Sequence, residues 1–84
     1  MAAEEAGMDH DTALSRAVTR RMEQSGMSAR QLCRRAGMDS GNVSRKLAGR
    51  GWRYADLHKL AAALGVAPHL LVAEAGRLGK EERE

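Results

Sequence analysis

Residues 28–49 read SARQLCRRAGMDSGNVSRKLAG. Two short segments with helical apolar spacing meet at Gly37, Met38 and Asp39. Ser28 opens the first as an N-cap, because its hydroxyl oxygen can accept from a free amide of the first turn. Leu32, Cys33 and Ala36 form its inner face. Gly37 ends it, since the residue after a helix often needs a positive φ that glycine adopts without strain. Met38 then packs inward from the turn. Asp39 caps the second segment, Val43 and Leu47 sit four residues apart on its inner face, and Gly49 closes it. A link of three residues forces the two helices to cross steeply, and Cys33 or Ala36 is small enough to allow it.

The same reading extends outward in both directions. After a loop from Arg50 to Arg53, Leu57, Leu60, Ala61 and Leu64 make an apolar stripe, which predicts a helix over Tyr54–Leu64 ending at Gly65. Pro68 suits the first position of a further helix running to about Ala75. Upstream, Leu14, Ala17, Val18 and Met22 recur at helical spacing, with Asp11 or Thr12 as cap and Gly26 as stop. Residues 1–10 are acidic and lack a period, so a disordered tail is expected; residues 76–84 are charged and glycine-interrupted, so they should fray. No strand pattern and no repeat is present. The expectation is an all-α, five-helix domain over 11–75, with the central pair over about 29–48.

The chain has 84 residues, enough for one domain. Phe is absent and Trp52 and Tyr54 are the only aromatics, so the apolar content is helix-favouring Ala, Leu, Val and Met. One cysteine, Cys33, cannot form an internal disulfide and fits a reducing compartment. No apolar run approaches the roughly 20 residues of a membrane span, and the acidic start is unlike a secretion signal. A cytoplasmic protein is expected, without membrane contact. His10, His58 and His69 lack zinc spacing, and Asp9-His10-Asp11 would hold a metal only weakly. There is no glycine-rich phosphate loop. No enzyme, metal or cofactor is expected.

The net charge of +3 is unevenly distributed. Residues 1–11 carry −4 through Glu4, Glu5, Asp9 and Asp11, residues 12–54 carry +8, and residues 55–84 carry −1. An excess of that size in the middle implies a positive potential and a polyanionic partner. Setting Val43 at zero on a wheel of about 100° per residue puts Leu47 near 40° and Arg45 near 200°, opposite the core. Gly41, Ala48 and Asn42 fall beside Arg45, and Ser44 and Lys46 lie on the two flanks. A helix fits the major groove of duplex DNA, and small neighbours would let Arg45 reach a guanine edge with two hydrogen bonds. The base-reading candidates are therefore Ser40, Gly41, Asn42, Ser44 and Arg45. Arg30, Arg34, Lys46, Arg50 and Arg53 surround them as candidates for phosphate contacts. The plain alternative for each arginine is a solvated surface position. Trp52 is expected to cover the base of the Tyr54–Leu64 helix, and Cys33 to be a buried small residue.

The residues from Ser28 to Gly49, with Trp52–Leu57 and the run Ala62–Val66, resemble the Cro and lambda-repressor-like helix-turn-helix domains, also called XRE-type. The similarity covers roughly residues 12–72. Leu32, Cys33 (where alanine is usual), Gly37, Met38, Val43, Ser44, Arg45 and Gly49 match its pattern. The family's glutamines at the starts of the two motif helices are replaced by Ala29 and Ser40, so those contacts are not carried over; Lys46 stands at a site more often apolar. The resemblance implies a compact lambda-repressor-like domain that binds double-stranded DNA in a small bacterial or phage transcriptional regulator. It also implies a homodimer through the last helix, with Leu70, Leu71, Val72 and Leu78, although Leu71 can equally close the monomer core. The alternative is a protein-interaction module, an antitoxin or accessory factor that reuses the fold, with the C-terminal helix as a possible docking surface.

Overall fold

A computed structural model of the protein describes residues 9–83, with side chains to residue 80. The described residues form five helices and no strand: α1 His10–Ser25, α2 Ala29–Ala36, α3 Ser40–Leu47, α4 Tyr54–Leu64 and α5 Pro68–Arg83. The boundaries follow local chemistry. Ser28 and Asp39 cap α2 and α3, accepting from the amides of Gln31 and Asn42. Gln31 completes a capping box by accepting from the Ser28 amide at 2.9 Å. Gly37 takes φ +68° between α2 and α3, so the turn has the left-handed residue it needs.

Two ends differ from the sequence expectation. The cap of α1 is Asp9 rather than Asp11 or Thr12; its Oδ1 accepts from the Thr12 amide at 2.7 Å, and that bond holds the carboxyl below its ordinary range. Asp11 instead turns inward and accepts from the Trp52 amide at 3.3 Å. The tail expected over 1–10 thus loses Asp9 and His10 to α1, and its other residues lie outside the described ones. At the far end, α5 does not stop near Ala75 but continues to Arg83. Gly76 and Gly79 weaken a helix in isolation by roughly 1 kcal/mol each. Packing overrides them: Leu71 and Ala75 are buried, Leu78 is half-buried against the core, and α1 is the element that α5 touches most. Arg21 of α1 adds two N–H bonds to one oxygen of Glu74 on α5, and the carboxylate holds the guanidinium above its usual range.

The core gathers Leu14, Ala17 and Val18 of α1, Leu32 of α2, Val43 of α3, Leu57, Leu60 and Ala61 of α4, and Leu71 and Ala75 of α5, with Met38 from the turn. Helix α2 lies against α4, and α3 lies against α1 and α2. The outer side of α3 is left uncovered: Ser40, Gly41, Ser44, Arg45 and Ala48 are exposed.

Candidate nucleic-acid interface

Helix α3 has eight residues and is too short to hold itself by propensity. Its apolar anchorage is small as well, since only Val43 is fully buried and Leu47 is half-buried. Polar bonds to its C-terminal carbonyls supply the rest. The buried Ser15 hydroxyl of α1 donates to the Leu47 carbonyl at 2.6 Å. The Trp52 indole N–H donates to the Lys46 carbonyl at 2.9 Å, and the Arg50 amide to the Arg45 carbonyl at 2.9 Å. Gly49 makes the approach to α1 possible. Its φ is +82°, and a Cβ there would lie 3.0 Å from the Thr12 hydroxyl and 3.2 Å from the Thr12 Cα.

Arg30 and Arg34 on α2, Arg45 on α3, and Arg50 and Arg53 in the following loop are all exposed. Among the described residues none of them pairs with a carboxylate; the ion pairs there are Arg21–Glu74 and Lys46–Asp56. Two grooves run beside the ridge. Arg30, Ser40 and Ser44 share one between α2 and α3, floored by Cys33 and Val43. Asn42, Arg45 and Arg53 share the other, between α3 and the loop, floored by Lys46, Gly51 and Asp56. Residues 13–75 match a family of known proteins, the helix-turn-helix domain. The chain belongs to that family. No curated protein and no solved structure matches it.

As a helix-turn-helix domain the chain has DNA as its indicated partner, and domains of this family are typically non-enzymatic. No helix among the described residues is long and apolar enough to cross a membrane.

One expected contact is corrected. Lys46, named as a phosphate candidate, is only 4% exposed. Its Nζ donates to the Gly51 carbonyl at 2.7 Å and lies 3.2 Å from Asp56 Oδ2. The wheel placed the inward direction between Val43 and Leu47 alone. With Lys46 buried and Asn42 half-buried, the inward side rotates toward those two, and the ridge centres on Gly41 with Arg45 and Ser44 beside it. The signal was present, because Lys46 occupies a position where the resemblance expects an apolar residue. A lysine stem can fill such a site if its head finds a partner, and Asp56 provides one.

The dimer candidates are also corrected in part. Leu71 is 0% exposed and Leu78 is half-buried, so both belong to the monomer's core. Leu70 and Val72 remain exposed, but at about 100° per residue they fall on opposite flanks of α5 rather than on one stripe. Trp52 packs partly buried against the core and bonds to the end of α3. Asp56, which the sequence reading passed over, is the carboxylate that organises the loop.

Proposed function

We propose that the chain is a sequence-specific regulator of transcription that lays α3 in the major groove of DNA. The observation that carries this reading is the exposed side of α3, where the outward residues apart from Arg45 are small, together with the exposed arginines of α2, α3 and the following loop that meet no carboxylate among the described residues. Arg45 is the base reader, with Ser40, Gly41, Asn42 and Ser44 beside it. Arg30, Arg34, Arg50 and Arg53 are the phosphate contacts. Eight residues of helix read only a few base pairs, so two copies bind together on half-sites about one DNA turn apart.

Arg53 supports the same reading in a second way. Asp9, Ser28 and Asp39 cap the first three helices with side-chain oxygens, whereas the cap position of α4 is held by Arg53, whose guanidinium offers no acceptor. Asp56 satisfies the Arg53 amide at 3.0 Å, but a cation at a helix start is locally unfavourable. A residue that breaks the capping rule at the edge of the ridge fits a role outside the fold.

The test is selection of bound duplexes from a random pool, followed by titration with variants. A recovered palindrome is the expected result. Arg45→Ala should lose about 1–3 kcal/mol of discrimination at one base position. Arg50→Ala should weaken all sequences alike and lower the salt slope by about 0.9. A second reading, a protein-interaction module, is favoured by an apolar groove between α4 and α5, where exposed Tyr54 and Val72 flank Leu57 and Pro68. Absence of duplex binding at low salt would select it.

A further inference from the structure

Lys46 is tied to the 50–53 loop at both ends. Its carbonyl accepts from the Trp52 indole at 2.9 Å, and its ammonium donates to the Gly51 carbonyl at 2.7 Å. The ammonium also meets Asp56 Oδ2 at 3.2 Å, and that oxygen accepts from the Arg53 amide at 3.0 Å. Three segments therefore meet at one ion pair: α3, the loop, and the first turn of α4. Lys46 and Asp56 are 4% and 8% exposed. Two exposed arginines, Arg50 and Arg53, ride on the loop so fixed.

A buried ion pair is weak evidence of stabilisation, because an apolar pair of similar volume is often as stable. An apolar pair, however, could not bond the Gly51 carbonyl and the Arg53 amide. What Lys46 and Asp56 supply that packing cannot is a fixed loop backbone. Holding a loop in its bound shape beforehand removes the ordering cost from association. We propose that the Lys46–Asp56 pair is a positioning device that presents Arg50 and Arg53 to the DNA backbone at a set distance from Arg45, without touching DNA itself. The proposal rests on the DNA-binding reading above.

The sign of one substitution separates positioning from charge. Asp56→Leu removes both a negative charge from the floor of the groove shared by Arg45 and Arg53 and the acceptor of the Arg53 amide. Charge alone predicts tighter binding to a polyanion. Positioning predicts weaker binding, by about tenfold or more, and a salt slope shallower by up to about 1.8, the share of two phosphate contacts. The measurements are titration of the selected duplex over a range of salt, acrylamide quenching of Trp52 in the free protein, and far-UV circular dichroism. The expected result for Asp56→Leu and Lys46→Met is weaker binding, a shallower slope and easier quenching, at unchanged helix content. Where a single variant fails to fold, Lys46→Met/Asp56→Leu keeps the volume filled without the charges and should show the same three changes. Unchanged or tighter binding by a folded variant overturns the proposal, as does weaker binding with an unchanged slope or unchanged quenching. Failure of the wild type to bind any duplex at low salt rejects the DNA reading and this proposal with it; failure of the positioning role alone leaves wild-type binding intact.

Discussion

The two sides of the domain follow different rules. Behind, α1 and α5 pack through buried apolar residues, and an ion pair joins Arg21 to Glu74. In front, Arg30 and Arg34 of α2, Arg45 of α3, and Arg50 and Arg53 of the loop after it are exposed without a carboxylate partner among the described residues. The front also holds two residues that weaken their own helices: Gly41 inside α3 and Arg53 at the start of α4. At the back, packing holds the helices even where Gly76 and Gly79 lower the propensity of α5. The front leaves propensity and packing partly unmet, which is where a binding surface is expected to depart from the best-folding sequence.

Three substitutions would break or sharpen that contrast, beyond those at Arg45 and at the buried pair. The largest effect belongs to the back. Leu71→Ala empties a fully buried site and should cost about 2–5 kcal/mol in denaturant unfolding. Intact stability with a lost dimer would instead return Leu71 to an intersubunit role. On the front, Arg53→Ser should raise stability by about 1 kcal/mol by supplying a cap acceptor, while weakening DNA binding. Loss on both counts would show that Arg53 serves the fold and blur the two sides. The smallest effect is at Gly41, where a Cβ would meet nothing nearer than Asp39 Oδ1 at 4.0 Å. Gly41→Ala should therefore stabilise the monomer by about 0.5–1 kcal/mol yet weaken binding to the selected duplex, because the added methyl stands on the ridge facing the groove. Unchanged affinity would mean that the helix backbone does not approach DNA there.

The elements themselves were legible because each boundary is a local event. Ser28 and Asp39 start helices where a side-chain oxygen can reach an amide three residues on, and Gly26, Gly37 and Gly65 end them in the left-handed conformation. The bounds of α4 follow from its leucine stripe as expected. The exposed ridge was legible for the same reason, with Ser40, Gly41, Ser44 and Arg45 on the outside. What escaped were residues whose fate depends on something distant in sequence. Asp11 leaves the capping role for an amide 41 positions away. Residues 76–83 stay helical with α1 to pack against. Lys46 is polar in every local sense and is nevertheless buried.

The sequence by itself determined the helices, their turns, the helix-turn-helix order and the excess of positive charge in the middle of the chain. These depend on capping, backbone freedom and periodicity, all of which act within a few residues. Only the tertiary structure decided which charges are available. Arg21 and Lys46 meet carboxylates 53 and 10 positions further along, while Arg30, Arg34, Arg45, Arg50 and Arg53 meet none among the described residues. A charge is withdrawn from solvent only when folding brings an acceptor within hydrogen-bond reach, and that distance is set by the packing of whole helices.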